Sequence, residues 1–478
     1  MSHAVVLGGG LAGMLSAVAL SRHVDRVTIV EYDQYPDAPG TRRGIPQAHQ
    51  SHMFMGGGAE AVDQLLPGTV DLLYAAGAHR LKMSQNILTL SAEGWYRRFD
   101  HKAYLISCSR GLIDYTVRQQ ALRDDTITVL QSTKVVGLVG NPGLVTGVRV
   151  QQGEEDERTI DADFVVDATG SRSKAPDWLT AIGVPQVQEE FLDAGLAYAS
   201  RIYEAPEWAR GGVPAMLIQA KPQEGRPGGG AGLLPLEGDR WIVPLIGTRG
   251  GQPPSSEDGF LDFARGVRHP MVARLIETAR PVREIRAARG LANRRRRYER
   301  LPVPEGFVAI GDSATVLSPN YATGMTLAAF GALALRTRLK THGLKPGLSR
   351  KVQADVAKAA VGPWRTAISS DRWFPDIKTN LKLRGGRMQR AMVARWSRTA
   401  AVTPEVAGPA FEVATLTSPP SKMMTLPMIM SVLRGPQRAP LTAEEAIAQF
   451  PEFGDRLGTD EASASRPEQL HATPSDLS

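Results

Sequence analysis

The sequence predicts an α/β fold: a Rossmann-type βαβ domain, an inserted antiparallel-sheet domain and a helical C-terminal region. Three observations predict it. The glycine-rich run Gly8-Gly9-Gly10-Leu11-Ala12-Gly13 stands between an apolar strand-like stretch, Ala4 to Leu7, and a run of small and apolar residues from Leu11 to Ser21. Longer β-like stretches begin after Pro185, and two of them flank Glu237-Gly238-Asp239-Arg240 as a hairpin would. A new buried-strand signal, Phe307 to Ile310, then leads straight into Gly311-Asp312.

Val27 to Val30 completes the first βαβ unit. Residues from Pro36 to Ser51 are rich in Pro, Gly, Arg and His and read as a loop. Ala59 to Leu66 and Arg110 to Leu122 read as helices, and Thr126 to Leu130, Gly147 to Val150 and Phe164 to Val166 as strands. Gly195 to Tyr203, Ala215 to Gln219, Gly232 to Leu236 and Trp241 to Ile246 supply the strands of the insertion. Met325 to Leu339 is apolar and helix-favouring. The resulting division is 1–184 for the nucleotide-binding part with insertions, 185–300 for the β-rich part, 301–340 for the return, and 341–454 for the helical region. The stretch from Asp455, 455–478, is rich in Ser, Asp, Glu and Pro, so it buries too little apolar surface to offset its ordering entropy.

At 478 residues the chain exceeds one typical core, and 42% hydrophobic with 22% charged residues is ordinary for a globular protein. The formal charge is +7, with a conspicuous basic stretch from Arg283 to Arg300, densest at Arg294 to Arg297. That run reads either as a solvated face or as a patch for an anionic partner such as a nicotinamide nucleotide or an acidic carrier protein. No nucleic-acid-binding module accompanies it, so a nucleic-acid partner is not expected. One cysteine, Cys108, excludes an intrachain disulfide or a cysteine metal cluster. Neither a signal-peptide order nor an apolar run of about 20 residues is present, so the reading is a cytoplasmic protein without an integral membrane segment.

The glycine run has the dinucleotide-binding spacing. Gly8 permits the tight turn, Gly10 lets the backbone approach a pyrophosphate at the helix N-terminus through Leu11 and Ala12, and Gly13 lets helix and strand pack closely. Glu31 ends the second strand about 20 residues on, where a carboxylate takes the ribose hydroxyls; it disfavours a 2′-phosphate there.

Further along stand Gly311-Asp312-Ser313-Ala314 and Ser318-Pro319-Asn320-Tyr321-Ala322-Thr323-Gly324-Met325. These resemble the GD motif and following loop of FAD-dependent class A monooxygenases, the para-hydroxybenzoate hydroxylase-like group. The resemblance implies FAD as cofactor, Asp312 at the ribityl chain, and Thr323, Gly324 and Met325 beside the isoalloxazine ring. Arg110, in Ser107-Cys108-Ser109-Arg110-Gly111-Leu112, resembles the arginine that reaches FAD from a helix start, with an exposed arginine as the alternative. Val165 to Gly170 resembles the return strand and turn.

Arg42-Arg43-Gly44-Ile45-Pro46-Gln47-Ala48-His49-Gln50-Ser51-His52 resembles a segment of actinobacterial flavin-dependent epoxidases of polyether antibiotic biosynthesis, the lasalocid and monensin type. Leu66-Pro67-Gly68 and Asn293-Arg294-Arg295 resemble that subgroup too, and the likeness extends to about residue 340. It implies Arg43 at the cofactor, NADPH or NADH as reductant, an apolar polyene or polyketide-like substrate, and alkene epoxidation after oxygen activation at flavin C4a. No separate nicotinamide domain is implied, and no second glycine fingerprint is present. Where many such enzymes carry Gly-x-Gly-Met, this chain has Ala322-Thr323-Gly324-Met325, which keeps open a non-redox [4+2] cyclase on the same fold. An alkene reductase of the geranylgeranyl reductase type is the other alternative.

No catalytic side chain announces itself. His49 and His52 read either as groups orienting substrate or phosphate, or as loop bystanders, and no metal-ligand spacing surrounds them. Leu233, Pro235, Trp241, Val243 and Leu245 read either as substrate walls or as sheet core.

Overall fold

The computed structural model describes residues 1–154, 156–222 and 226–457. Its first layer is a five-stranded parallel sheet in the spatial order Phe307–Ala309, Phe164–Asp167, His3–Leu7, Arg26–Val30, Ile127–Leu130. Ala4 to Leu7 are fully buried, which is why that strand is a continuous apolar run rather than an alternating one. Two helices cover one side of this sheet in mutual contact, Leu11–Ser21 and Gly324–His342. The second follows the edge strand Phe307–Ala309, so the N-termini of both helices lie at the same, C-terminal edge of the parallel sheet.

The second layer is a seven-stranded sheet, ordered Arg286–Arg289, Ala197–Glu204, Arg240–Gly247, Gly229–Leu236, Ala215–Ile218, Ile87–Ser91, Gly94–Trp95. All its pairings are antiparallel except Ala215–Ile218 with Ile87–Ser91. The hairpin turns on Gly238 and Asp239, at φ of 71° and 50°, the left-handed conformation that Gly and Asp tolerate best. Strands from residues 87–95 thus cross from the first part of the sequence into this sheet, a long-range pairing that local pattern does not reveal.

The basic stretch divides: Arg283, Arg286, Arg289 and Arg300 are exposed, while its densest part turns inward. Asn293–Arg296 forms a strand between Glu189–Asp193 and Thr315–Val316, and Arg295 and Arg296 are buried. Three of these cations have carboxylate partners: Arg295 meets Glu299 at 3.3 Å, Arg296 meets Glu189 at 3.2 Å, and Arg297 meets Glu190 at 3.0 Å. Charge pairing across strands makes burial tolerable where isolated arginines would stay in water.

Helices Leu348–Asp371, Arg387–Val402, Pro404–Ala414 and Leu426–Arg434 form most of the C-terminal region. Of the expected polar tail, residues 455–457 end a 3-10 segment, Pro451–Leu457, with Leu457 buried; the remainder, 458–478, lies outside the described residues. No described helix is long and apolar enough to cross a membrane.

Candidate functional site

One cavity of about 2210 Å³ opens between the two layers. That exceeds the roughly 300–1,000 Å³ of a single small-ligand site, so it has room for a large cofactor and a second molecule. Its two ends differ in chemistry.

The polar end begins at the glycine-rich turn. Gly8 has φ of 88° and a Cβ there would lie 2.7 Å from the Ala168 carbonyl oxygen, so only glycine fits. A Cβ on Gly13 would overlap the Gly8 carbonyl, which is the close strand–helix approach expected of it. Gly10 differs from both: its nearest neighbour would be Arg42 Nη2 at 3.7 Å. The space above Gly10 is therefore a cradle, facing the cavity at the positive end of the helix Leu11–Ser21, with Leu11 and Ala12 beside it.

Glu31 is buried and anchored at this turn. Its Oε2 accepts from the Gly9 N–H at 2.7 Å and its Oε1 from the Asp33 N–H at 2.8 Å. Arg42, not Arg43, is the arginine that comes inward: Nη1 lies 2.8 Å from Glu31 Oε2 and Nη2 donates to the Gly9 carbonyl at 3.1 Å. Arg43 is exposed and does not line the cavity. A double-arginine sequence cannot say which member turns inward; Tyr35, whose ring lies 5.1 Å from the Arg42 guanidinium carbon, helps select it here.

Arg110 starts the helix Arg110–Ala121, capped by Ser109, and lines the cavity. Asp114 holds its Nε at 2.8 Å, leaving the terminal nitrogens available. Asp312 faces the same cavity and takes no hydrogen bond from the described protein groups. Burial pushes its pKa up, and Arg110, Arg296 and Arg294 oppose that push. A carboxylate with no internal donor, opposite an arginine, suits a ligand that brings hydroxyls.

The loop that follows is pinned from behind. Tyr321 Oη donates to Asp371 Oδ1 at 2.5 Å, Asn293 Nδ2 donates to Asp371 Oδ2 at 2.7 Å, and the Ser318 N–H donates to Asn293 Oδ1 at 2.8 Å. Asp371 sits at the end of the helix Leu348–Asp371, and burial raises its pKa to about 6 against the opposing bonds from Tyr321 and Asn293. This buried carboxylate carried no sequence signal, since its partners are 50 and 78 residues away. The loop ends at Thr323, Gly324 and Met325, which line the cavity where the helix Gly324–His342 begins. Thr323 Oγ1 is buried without a hydrogen-bond partner, an orphan acceptor and donor aimed at this end.

Ala322 has φ of 50° and ψ of 27°, a left-handed conformation costing roughly 1–2 kcal/mol for a residue with a Cβ. Its methyl packs with the apolar residues around Met55 and Leu234, which returns about 0.8 kcal/mol at most. Ala322→Gly is therefore expected to stabilise the protein by somewhat under about 1 kcal/mol. A denaturant midpoint at or below that of the parent would show that the methyl contacts outweigh the backbone strain.

The apolar end is walled by Met53, Met55, Leu105, Leu217, Leu234 and Ile246. The hairpin residues expected as walls face the other way. Leu233, Trp241, Val243 and Leu245 lie in the core on the opposite sheet face, and Pro235 does not line the cavity either. Gly230, Gly232, Leu234, Pro244 and Ile246 line it instead, one step out of phase along the same two strands. His52 lies at the junction of the two ends. It holds the Gln50 carbonyl at 2.9 Å through Nδ1, and burial together with Arg110 depresses its pKa to about 3. It is thus a neutral imidazole with Nε2 left as an acceptor. His49 does not line the cavity. Cys108 is buried core, and no group of residues able to hold a metal ion occurs among the described residues.

Two curated relatives share most of this chain. Protein Rv3254 of Mycobacterium tuberculosis is 29% identical over 383 residues, covering 76% of this chain and 78% of the relative. The 6-methylpretetramide 4-monooxygenase of Streptomyces rimosus is 26% identical over 340 residues, covering 69% and 73%. Among solved structures, p-nitrophenol 4-monooxygenase PnpA from Pseudomonas putida DLL-E4 superposes with a TM-score of 0.61 at 16% identity over 92% of this chain and 100% of that one. The Diels-Alderase PyrE3 of pyrroindomycin biosynthesis does so with a TM-score of 0.59 at 16% identity over 87% and 80%. At these identities the superpositions speak to the fold alone. The model of the FAD binding domain family matches residues 1–343, and with the glycine-rich turn, the GD turn and the two-ended cavity now in place, this chain belongs to that family of class A flavin monooxygenases.

Proposed function

We propose that this chain is an FAD-dependent monooxygenase that epoxidises alkenes of a polyketide-like natural-product intermediate, with NADPH or NADH as reductant. The observation that carries the reading is the single cavity joining a cradle for a dinucleotide to an apolar chamber. In this reading Gly8, Gly10, Leu11, Ala12 and Gly13 hold the pyrophosphate, Glu31 the adenosine ribose, and Arg110 and Asp312 the ribityl region. Arg42 replaces Arg43 as the arginine at the nucleotide. Thr323, Gly324 and Met325 meet the flavin ring.

FAD, when bound, supplies the redox chemistry between reduced nicotinamide and dioxygen. The protein's own part is positioning and exclusion of water. The amides opening the helix Gly324–His342 would favour negative charge on a flavin ring held at Thr323 to Met325. Met53, Met55, Leu105 and Leu234 give the chamber apolar walls against which a polyene would pack. His52, neutral and facing the junction, offers an acceptor to whichever ligand reaches it.

The left-handed Ala322 beside the ring position favours a second reading, a [4+2] cyclase that keeps FAD as a bound, non-redox element of the fold. Purified holoprotein with candidate polyene substrates separates the two. The monooxygenase reading expects NAD(P)H consumption and an oxygen-18 label from dioxygen in a product heavier by one oxygen atom. Turnover without reductant and without oxygen, giving an isomer of the substrate, would eliminate it in favour of the cyclase. Full turnover with reductant in an anaerobic chamber would point to alkene reduction instead.

A further inference from the structure

A second basic stretch follows the one from Arg283 to Arg300. Residues 378–438 contain ten Lys and Arg against two acids, Glu405 and Glu412, whereas the rest of the chain holds 46 Lys and Arg against 47 Asp and Glu. Glu412 is buried and paired with Lys422, so that pair adds no net charge to the surface.

The same stretch exposes apolar side chains in helical register. On the helix Leu426–Arg434, Met428 and Val432 face inward, while Leu426, Ile429, Met430 and Leu433 face solvent. An exposed face at spacing i, i+3, i+4 and i+7 is the reverse of what solvent selects. Met388 and Met392, one turn apart on the neighbouring helix Arg387–Val402, extend it, with Met388 85% exposed and Leu426 72% exposed. Several large apolar side chains left exposed on two touching helices mark an interaction site rather than ordinary exposure. It also continues into the cavity, because Met424, 71% exposed, is at the same time one of the residues lining it, together with Met423 and Pro420.

We propose that this face docks on the surface of an anionic lipid bilayer, with the helix Leu426–Arg434 lying in the headgroup–acyl boundary and the cavity mouth turned towards the lipid. Charge complementarity and apolar exposure both select this occupant. Lysines and arginines near an anionic leaflet contribute about 1 kcal/mol each, and protruding Leu, Ile and Met side chains enter the acyl boundary without needing a preformed groove. An acidic protein partner would answer the charge but leave the protruding side chains to be accommodated separately. The docking stands independently of which reaction the cavity performs.

Co-sedimentation of the full-length flavoprotein with extruded vesicles tests it. The protein is expected to pellet with phosphatidylcholine–phosphatidylglycerol vesicles and to stay in the supernatant with phosphatidylcholine alone. The triple variant Leu426→Glu, Met430→Glu, Leu433→Glu should partition at least about tenfold less, with its flavin spectrum unchanged because none of the three residues lines the cavity. A second variant, Arg434→Glu with Arg438→Glu, should weaken binding in the same direction. Absence of wild-type binding to anionic vesicles, or equal partitioning of wild type and triple variant, overturns the proposal. So does a wild-type dimer in size-exclusion chromatography that the triple variant abolishes while neither binds vesicles, since a second copy would then be the occupant.

Discussion

Gly10→Val is expected to give a folded but colourless protein. The magnitude follows from what surrounds each glycine of the turn. At Gly10 a side chain would meet only Arg42 Nη2, at 3.7 Å, so the polypeptide alone tolerates a branched residue. The same side chain fills the space in which a pyrophosphate would approach the helix N-terminus. Overpacking of this kind costs about 1–3 kcal/mol, and the lost amide contacts to phosphate add to it, so flavin affinity should fall by about a hundredfold or more. Gly13→Val is the contrasting control: its side chain would strike the Gly8 carbonyl and is expected to unfold the βα junction itself. The flavin-to-protein absorbance ratio and the far-UV circular dichroism of both variants decide the matter. Full flavin content in Gly10→Val would remove the assignment of this turn to the cofactor.

The glycine turn was legible because its requirements are local. Gly8, Gly10 and Gly13 act within six residues, and Glu31 follows at the end of the next strand of the same unit. The hairpin was legible in position but not in facing. Its two strands and turn came from pattern alone, yet both faces of that sheet are apolar, so alternation could not say which set meets the cavity; Leu234 and Ile246 do, Leu233 and Leu245 do not. The basic run misled for the opposite reason. Arg296 and Arg297 look solvated until Glu189 and Glu190, more than a hundred residues earlier, are brought alongside by strand pairing. Asp371 was invisible altogether, because nothing near it in sequence marks a carboxylate that holds Tyr321 and Asn293.

That carboxylate should govern part of the protein's pH stability. Burial raises the Asp371 pKa from 3.8 to about 6, so the folded protein binds a proton there that the unfolded chain has already released. The stability this group contributes is complete below about pH 4 and is lost as the pH rises through about 6, with a total change of roughly 3 kcal/mol. His52 acts with the opposite sign: its pKa, depressed to about 3, adds stability that is complete above its ordinary 6.5 and lost on acidification. The two partly cancel in the parent protein, so a flat profile there would decide nothing. The difference between parent and Asp371→Asn isolates the carboxylate, because the variant keeps His52 and every other group. Stability relative to Asp371→Asn should fall by roughly 3 kcal/mol between about pH 4 and pH 7, measured by denaturant unfolding of both proteins across that range. Parallel curves would mean that the bonds from Tyr321 and Asn293 already offset the burial. In that case Asp371 holds the loop from Ser318 to Tyr321 equally well as a charged or a neutral group.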